Sequence, residues 1–398
     1  MWNFFRKPQE KEKEIRYILT IDGGGMRGIV PAYILKRMDQ LLKEEEGTRP
    51  LYSYFDLIAG TSTGGLISLA LTAPLEETNF RQDDGPEYLA QHTETITEGF
   101  FHKKKEVTVT DGTVERLGEP EDILSLYSKN GGRIFEIRDD KGSLWTMVKQ
   151  TVHRFFKDKY DASNFEEFLL EMMGDTELKD AKVPTMAVAF NCDNCSPYIF
   201  RSWDSHGFLL REAARATSAA PTYFAPITYI DRETEERVTL VDGGIGANNP
   251  ILTAYIEARK LYPNADEFHI LSLSTAAPFP KVEPENFATN IDWMGALMSA
   301  YSAGNMNVSL QGVEAIPGVK VTRIWEPVID HHIPLDDASP EAVSVLLKAA
   351  ETIYTMQEKE IVAYVEEMKK APLHQDAVKL KKTLALPREE ESKELPED

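Results

Sequence analysis

The sequence predicts an α/β fold with a mostly parallel central sheet and helices on both faces. Three observations predict it. Two short apolar runs, Ile15–Ile21 and Phe55–Ala59, each end in a glycine-rich turn. Each turn leads into a stretch of helical character. Further strand-like runs then recur along the chain at Thr185–Phe190, Val238–Val241, Phe268–Leu273 and Val319–Trp325. Strand, turn and helix repeated in this order build a parallel sheet, because parallel neighbours need a crossover between them.

The first run, Ile15–Ile21, is interrupted only by Arg16 and Thr20 and is bounded by Asp22 and three glycines, as a buried strand is. Ile34, Met38 and Leu41 follow at helical spacing, with Leu35 and Leu42 beside them, in a helix expected to end near Gly47. The second strand closes on Gly60-Thr61-Ser62-Thr63-Gly64-Gly65, and Leu66–Leu71 continues as an apolar helix. Residues 76–180 are polar with scattered helical stretches such as Phe165–Met173, so insertions, covering helices or a lid are expected there. Helices are predicted at Leu210–Ala216 and Ile251–Leu261, and Ala342–Met368 reads as one long helical stretch. With no internal repeat and no linker, residues 15–370 are expected to form a single catalytic domain between an N-terminal segment, 1–14, and a polar, acidic tail, 371–398.

A net charge of −21 over 398 residues argues against nucleic acid, whose binders carry a basic face. It also argues against long-range steering to strongly anionic membranes, though not against short-range contact with lipid. No apolar run is long enough to span a bilayer, and Met1–Arg16 lacks an apolar core followed by a small-residue cleavage site. A cytoplasmic protein is expected, able to lie peripherally at a membrane surface. Met1-Trp-Asn-Phe-Phe-Arg-Lys7 could serve as an interfacial anchor or be a plain tail. Cys192 and Cys195 fall between two apolar runs in a predicted hairpin turn and read as incidental thiols.

The first glycine turn, Gly23-Gly24-Gly25-Met26-Arg27-Gly28, matches G-x-G-x-x-G after a strand, the fingerprint of a dinucleotide site. Asp22 would oppose a pyrophosphate, however, and the acidic residue expected about twenty positions on is absent from the next strand. The second turn is more diagnostic. Gly60-Thr61-Ser62-Thr63-Gly64 between a strand and a helix is a nucleophile elbow, whose glycines make room around a strained serine. The two turns then explain each other: acyl transfer needs backbone N–H groups aimed at an oxyanion, and a glycine loop on the adjacent strand supplies them. Arg27 could brace that loop or meet a lipid phosphate.

The serine needs a base. Of the eight histidines (His92, His102, His153, His206, His269, His331, His332 and His374), only His269, His331 and His332 come late enough for the order Ser–Asp–His. His269 lies inside a strand as core histidines do, and His331-His332 lie in a polar stretch. Asp242 has the better setting: it ends the run Val238–Val241 and is followed by Gly243-Gly244, Gly246 and Asn248-Asn249-Pro250. A carboxylate at a strand's carboxyl end, in a glycine-rich turn, is expected to face the crevice that holds Ser62.

These residues together resemble the patatin-like phospholipase family. Asp22-Gly-Gly-Gly-Met-Arg-Gly28 resembles its oxyanion motif, Gly60-Thr-Ser-Thr-Gly64 its elbow and Asp242-Gly-Gly244 its DG(G/A) motif. Ala216-Thr-Ser-Ala-Ala-Pro-Thr-Tyr-Phe224 resembles the segment before the aspartate, and Asp336-Asp-Ala-Ser339 a stretch of plant patatin. The resemblance runs from about Arg16 to Met368. It implies a three-layer α/β/α fold and a calcium-independent lipid acyl hydrolase with no cofactor. It implies Ser62 and Asp242 as a catalytic dyad, the N–H groups of Gly24 and Gly25 as the oxyanion hole, and a membrane or micellar lipid as substrate. Gly23, Arg27, Gly28, Gly60, Thr63, Gly64, Gly243 and Gly244 would support these motifs. Ser274 departs from a glycine of plant patatins and is expected to narrow the pocket. Two other readings stand beside this one: a dinucleotide-binding oxidoreductase, and a catalytically silent storage or scaffold protein on the same fold.

Overall fold

The computed structural model describes residues 13–44, 49–74, 92–98, 103–109, 119–134, 162–205, 207–221, 223–231, 235–276, 290–329 and 333–371. Its main sheet has eight strands. β1 (Ile15–Ile21) and β2 (Leu57–Thr61) pair in parallel, and the short hairpin β3 (His92–Glu98) and β4 (Lys103–Val109) stands apart as a two-stranded sheet. β5 (Thr185–Asn191), β6 (Ser196–Arg201), β7 (Ile227–Ile230), β8 (Arg237–Asp242), β9 (Glu267–Leu273) and β10 (Val319–Ile324) complete the main sheet in the order β10-β9-β1-β2-β5-β8-β7, with β6 on β5. The five strands from β10 to β5 are parallel; β6, β7 and β8 join through antiparallel pairings.

Side chains alternate across the central strands, because successive residues of a strand point to opposite faces. Tyr17, Leu19 and Ile21 of β1, Ala187 and Ala189 of β5, and Leu271 and Leu273 of β9 face the larger of two cores. Ile18, Leu57, Met186, Val188, Phe268 and Ile270 face the smaller. On the larger face lie α1 (Ile29–Lys43), α2 (Thr63–Thr72), α3 (Pro120–Ile134), α4 (Ala162–Met173), α5 (Leu210–Thr217), α9 (Pro340–Met356) and α10 (Glu358–Lys369). On the smaller face lie α6 (Gly244–Ala247), α7 (Ile251–Leu261) and α8 (Asn290–Glu314). The expected layers of helix, sheet and helix are therefore present. Both strand pairs flanking β1 are buried on each side, which is why they read as continuous apolar runs. No helix among the described residues is long and apolar enough to cross a membrane.

Several expectations change in detail. The single helix expected over Ala342–Met368 is two, broken at Gln357, whose φ of −113° leaves the helical range and whose side chain instead bonds the backbone of Trp325 and Arg323. The hairpin at Cys192–Cys195 is present as the turn between β5 and β6, with both thiols exposed and free.

The register around β5 places the site. β6 pairs with β5 from Met186 to Asn191, and so occupies one edge of that strand along its length. On the other edge β2 pairs as far as Thr61 opposite Val188, and β8 takes over with Asp242 opposite Ala189. β2 arrives from one end and β8, antiparallel, from the other. The two strands meet head to head along one edge of β5, so the residues that follow Thr61 and end β8 are neighbours. Gly243 sits in the seam, where a Cβ would overlap the Val188 carbonyl. Gly243→Ala is therefore expected to force the seam apart, lowering stability by about 1–3 kcal/mol, as overpacking does. A thermal melt unchanged from the parent protein would show that the seam has slack.

Candidate active site

Ser62 is the single residue between β2 and α2. Its φ of 55° and ψ of −125° lie where side-chain-bearing residues are rare, a strain of order 1–3 kcal/mol that its surroundings must hold. They hold it from several sides. The Ser62 N–H donates to Thr217 Oγ1 at 2.9 Å, and the Thr217 hydroxyl donates to the Val188 carbonyl at 2.5 Å. The Thr63 hydroxyl donates to the Tyr127 phenol at 2.5 Å, and the phenol donates back to the Thr63 carbonyl at 3.2 Å. Gly60 and Gly64 make room rather than supply unusual torsions: a Cβ on Gly60 would overlap the Gly64 carbonyl, and one on Gly64 would overlap the Ile21 carbonyl.

Asp242 faces this turn. Ser62 Oγ donates to Asp242 Oδ2 at 2.5 Å, and the Gly244 N–H donates to Oδ1 at 2.7 Å. The Asp242 N–H donates to the Ala219 carbonyl at 2.9 Å, so the segment 216–224 supports both members of the pair. The sequence placed Asp242 in the serine's crevice through the rule for carboxyl ends of parallel strands. The pairing is as expected but its route differs, since β8 is antiparallel and reaches the elbow head-on. Burial is the largest influence on the carboxyl and pushes it up to about 6, while the bonds from Ser62 and Gly244 pull it down. Ser62 itself is half-buried, so the pair has a buried acid and an accessible alcohol.

The glycine loop runs alongside. A Cβ on Gly23 would lie 3.2 Å from the Cβ of Ser62. The loop is fixed by backbone bonds: the Gly23 N–H donates to the Asn248 carbonyl at 3.0 Å, and the Met26 N–H to the Leu335 carbonyl at 2.7 Å. The Thr275 hydroxyl donates to the Gly23 carbonyl at 2.9 Å. Among the described residues the N–H groups of Gly24 and Gly25 have no intramolecular acceptor. Gly25, at φ 57°, is the one position in the loop that needs a glycine torsion, and the Leu335 carbonyl lies where its Cβ would be. A Cβ on Gly28 would overlap the Thr63 hydroxyl, so the end of this loop packs directly on the elbow.

Other candidates fall elsewhere. His269 lies in β9 four residues before its end, between Glu367, 2.6 Å from Nδ1, and Glu267, 3.2 Å from Nε2. It is a core histidine held by carboxylates, with the edge of Tyr17 against it. His331 and His332 lie outside the described residues. The Arg27 guanidinium donates from Nη1 to the Ile333 carbonyl at 3.3 Å, while its buried Nε has no partner among the described residues. Burial lowers its pKa to about 10. The Ser274 hydroxyl accepts from the Ala276 N–H at 3.1 Å. Sequence reasoning did not single out Thr217, Tyr127, Thr275 or Leu335. Thr217 lies in a motif that was noticed only as a segment. Leu335 acts through its carbonyl and has no signature.

Comparisons with known proteins identify the family. The sequence profile of the family described as Patatin-like phospholipase matches residues 19–255. Patatin-like protein 2 of Oryza sativa subsp. indica is 31% identical over 263 residues, which are 63% of this chain and 54% of the rice protein. Patatin-like protein 3 of Arabidopsis thaliana is 30% identical over 61% of this chain and 52% of its own. Patatin-2-Kuras 3 of Solanum tuberosum is 27% identical over 62% of this chain and 54% of its own. The matches thus span about half the length of these relatives. Among solved structures, VipD from Legionella pneumophila aligns with 87% of this chain and 67% of its own at 11% identity, with a TM-score of 0.33, a likeness too slight to argue from. On the family profile and these relatives, the chain belongs to the patatin-like phospholipase family.

Proposed function

We propose that this protein is a serine lipid acyl hydrolase that cleaves fatty acyl esters through a Ser62–Asp242 dyad. The observation that carries the reading is the 2.5 Å bond from Ser62 Oγ to a buried carboxylate, in a chain of a phospholipase family. A carboxylate is ordinarily too weak a base for an alcohol; desolvation makes this one stronger. Ser62 Oγ attacks the ester carbonyl carbon as its proton passes to Asp242 Oδ2. The carbonyl oxygen becomes an oxyanion, which the unused N–H groups of Gly24 and Gly25 receive. The tetrahedral adduct collapses, the bond to the alcohol oxygen breaks, and Asp242 returns the proton to that oxygen. Water then attacks the acyl-serine, gives its proton to Asp242, and the fatty acid leaves as the proton returns to Ser62 Oγ. The chain uses no metal in this scheme, and residues 15–370 act as one catalytic domain.

A fluorophosphonate probe is expected to label Ser62, with or without chelator, and Ser62→Ala to abolish labelling and ester hydrolysis. Labelling of a different serine, with Ser62→Ala still active, overturns the assignment.

Asp242→Asn is expected to lower kcat by a factor on the order of a thousand without lowering stability. The acid's pKa is raised in the fold, so the folded state binds more protons than the unfolded one between the usual carboxylate range and about 6. Stability is thus lost as pH rises through that window, on the order of 2–3 kcal/mol. Asparagine removes the loss while keeping an oxygen for the Gly244 N–H. The expected result is a melting temperature at pH 8 at or above that of the parent, with parental kcat/KM rising through an apparent pKa of about 6. A folded variant with unchanged turnover places the base elsewhere.

Because the proposed substrate lives in aggregates, long-chain esters in micelles or vesicles are expected to be cleaved faster than the same esters as monomers. The segments 100–105 and 153–157, aromatic and basic in sequence, are the proposed contacts. The first is described only from Lys103 onward, and the second lies outside the described residues. Rates are compared across the critical micelle concentration, on zwitterionic and anionic vesicles. Smooth saturation with no change at the threshold favours a soluble-ester hydrolase.

A further inference from the structure

The glycine loop begins on a buried charge that the proposed chemistry does not use. Asp22 is 2% exposed and directly precedes Gly23. Its backbone N–H donates to the Leu273 carbonyl at 3.0 Å, which fixes where the carboxylate stands. Arg323 reaches it from β10, two strands away in the sheet. Nη1 donates to Asp22 Oδ1 at 2.9 Å and Nη2 to Oδ2 at 2.5 Å, the fork-to-fork geometry that guanidinium and carboxylate share. On the way Nη1 also donates to Ser272 Oγ at 2.8 Å, on the intervening β9. The register makes this reach possible, since Arg323 pairs with Ser272 and Ser272 with Thr20. Among the described residues, Arg323 is the charged group that faces this carboxylate.

An ionised carboxylate at this place is a difficulty for the reaction. The adjacent N–H groups of Gly24 and Gly25 are there to receive negative charge, and a second negative charge a few ångströms away in a poorly solvated loop repels it. The rest of the loop is held by neutral contacts from Asn248, Thr275 and Leu335, so Asp22 is the charged group among its described supports. Burial pushes the Asp22 carboxyl up and Arg323 pulls it back. Arg323 also lies well past the end of the family match at residue 255.

We propose that Arg323 is a positioning residue for the acyl transfer. It grips Asp22 and cancels its charge, so that the glycine loop stays in place and presents its N–H groups without an opposing carboxylate. This rests on the reading of Gly24 and Gly25 as the oxyanion hole.

The test uses the full chain with a soluble short-chain ester and a fluorophosphonate probe. Arg323→Met and Arg323→Gln both remove the charge, and the second keeps a hydrogen-bonding head in case the first does not fold. Either is expected to lower kcat about ten- to a hundredfold with KM within about twofold, and to slow phosphonylation of Ser62 in parallel, because the lost stabilisation is of the transition state. Arg323→Lys restores the charge and is expected to recover most of the loss. The double variant Asp22→Asn with Arg323→Met removes both charges and is expected to be faster than Arg323→Met alone. A merely structural role would lower the folded fraction and the melting temperature without giving this split between kcat and KM in the folded protein. Wild-type kcat in the folded Met or Gln variant overturns the proposal, and so does a double variant no faster than the single. Wild-type protein that the probe does not label defeats the dyad reading itself. Wild-type and Met variant labelled equally fast defeat only the role of Arg323.

Discussion

The site depends on a constraint of sheet geometry: one edge of β5 is shared between two strands that run toward each other. β2 stops at Thr61 opposite Val188, and β8 ends at Asp242 opposite Ala189. Neither strand can continue, because each blocks the other. The chain must turn away at both ends, into α2 after Ser62 and into α6 after Gly243. The elbow and the aspartate turn are thus two consequences of one collision. The distance between Ser62 and Asp242 follows from the pairing register, not from flexible loops, and rigid elements hold paired groups more precisely than loops do.

The same collision explains the electrostatics. A carboxylate at the seam has strands and helices around it and little access to water, so its charged form is disfavoured and its basicity rises. The protein thereby carries two unfavourable features at once, a buried acid and a strained serine. They are held in place by the hydrogen bonds of Thr217, Gly244 and Ala219. This is the usual relation between function and stability: groups that react well are held in states they would not choose alone.

Much of this was legible in the sequence because the features in question are local. The parallel strands read as apolar runs since both faces of the sheet are covered, and the elbow and glycine loop are continuous motifs at strand ends. The head-to-head register was not legible, because whether Val238–Val241 runs parallel or antiparallel depends on a neighbour fifty residues earlier. The helix Asn290–Glu314 was missed for a related reason. It has a charge only near each end, at Asp292 and Glu314, and apolar and small residues on every side, so no amphipathic period marks it. The supports of the glycine loop were hidden differently. Leu335 contributes a carbonyl and Thr275 a single hydroxyl, and neither leaves a pattern in the chain. The hairpin Cys192–Cys195 and the core placement of His269 were readable from their immediate neighbours.

The central claim is that Asp242 is a desolvated acid whose proton affinity is coupled to Ser62. Carbon-13 NMR of selectively labelled aspartate carboxyls observes this directly as pH is varied. The account predicts that one carboxyl, absent from Asp242→Asn, titrates at about 6 in the parent protein. It also predicts that this carboxyl moves higher in Ser62→Ala, where the hydrogen bond that lowers it is gone. A carboxyl that titrates in the ordinary aspartate range, or that ignores the loss of Ser62, would contradict the account.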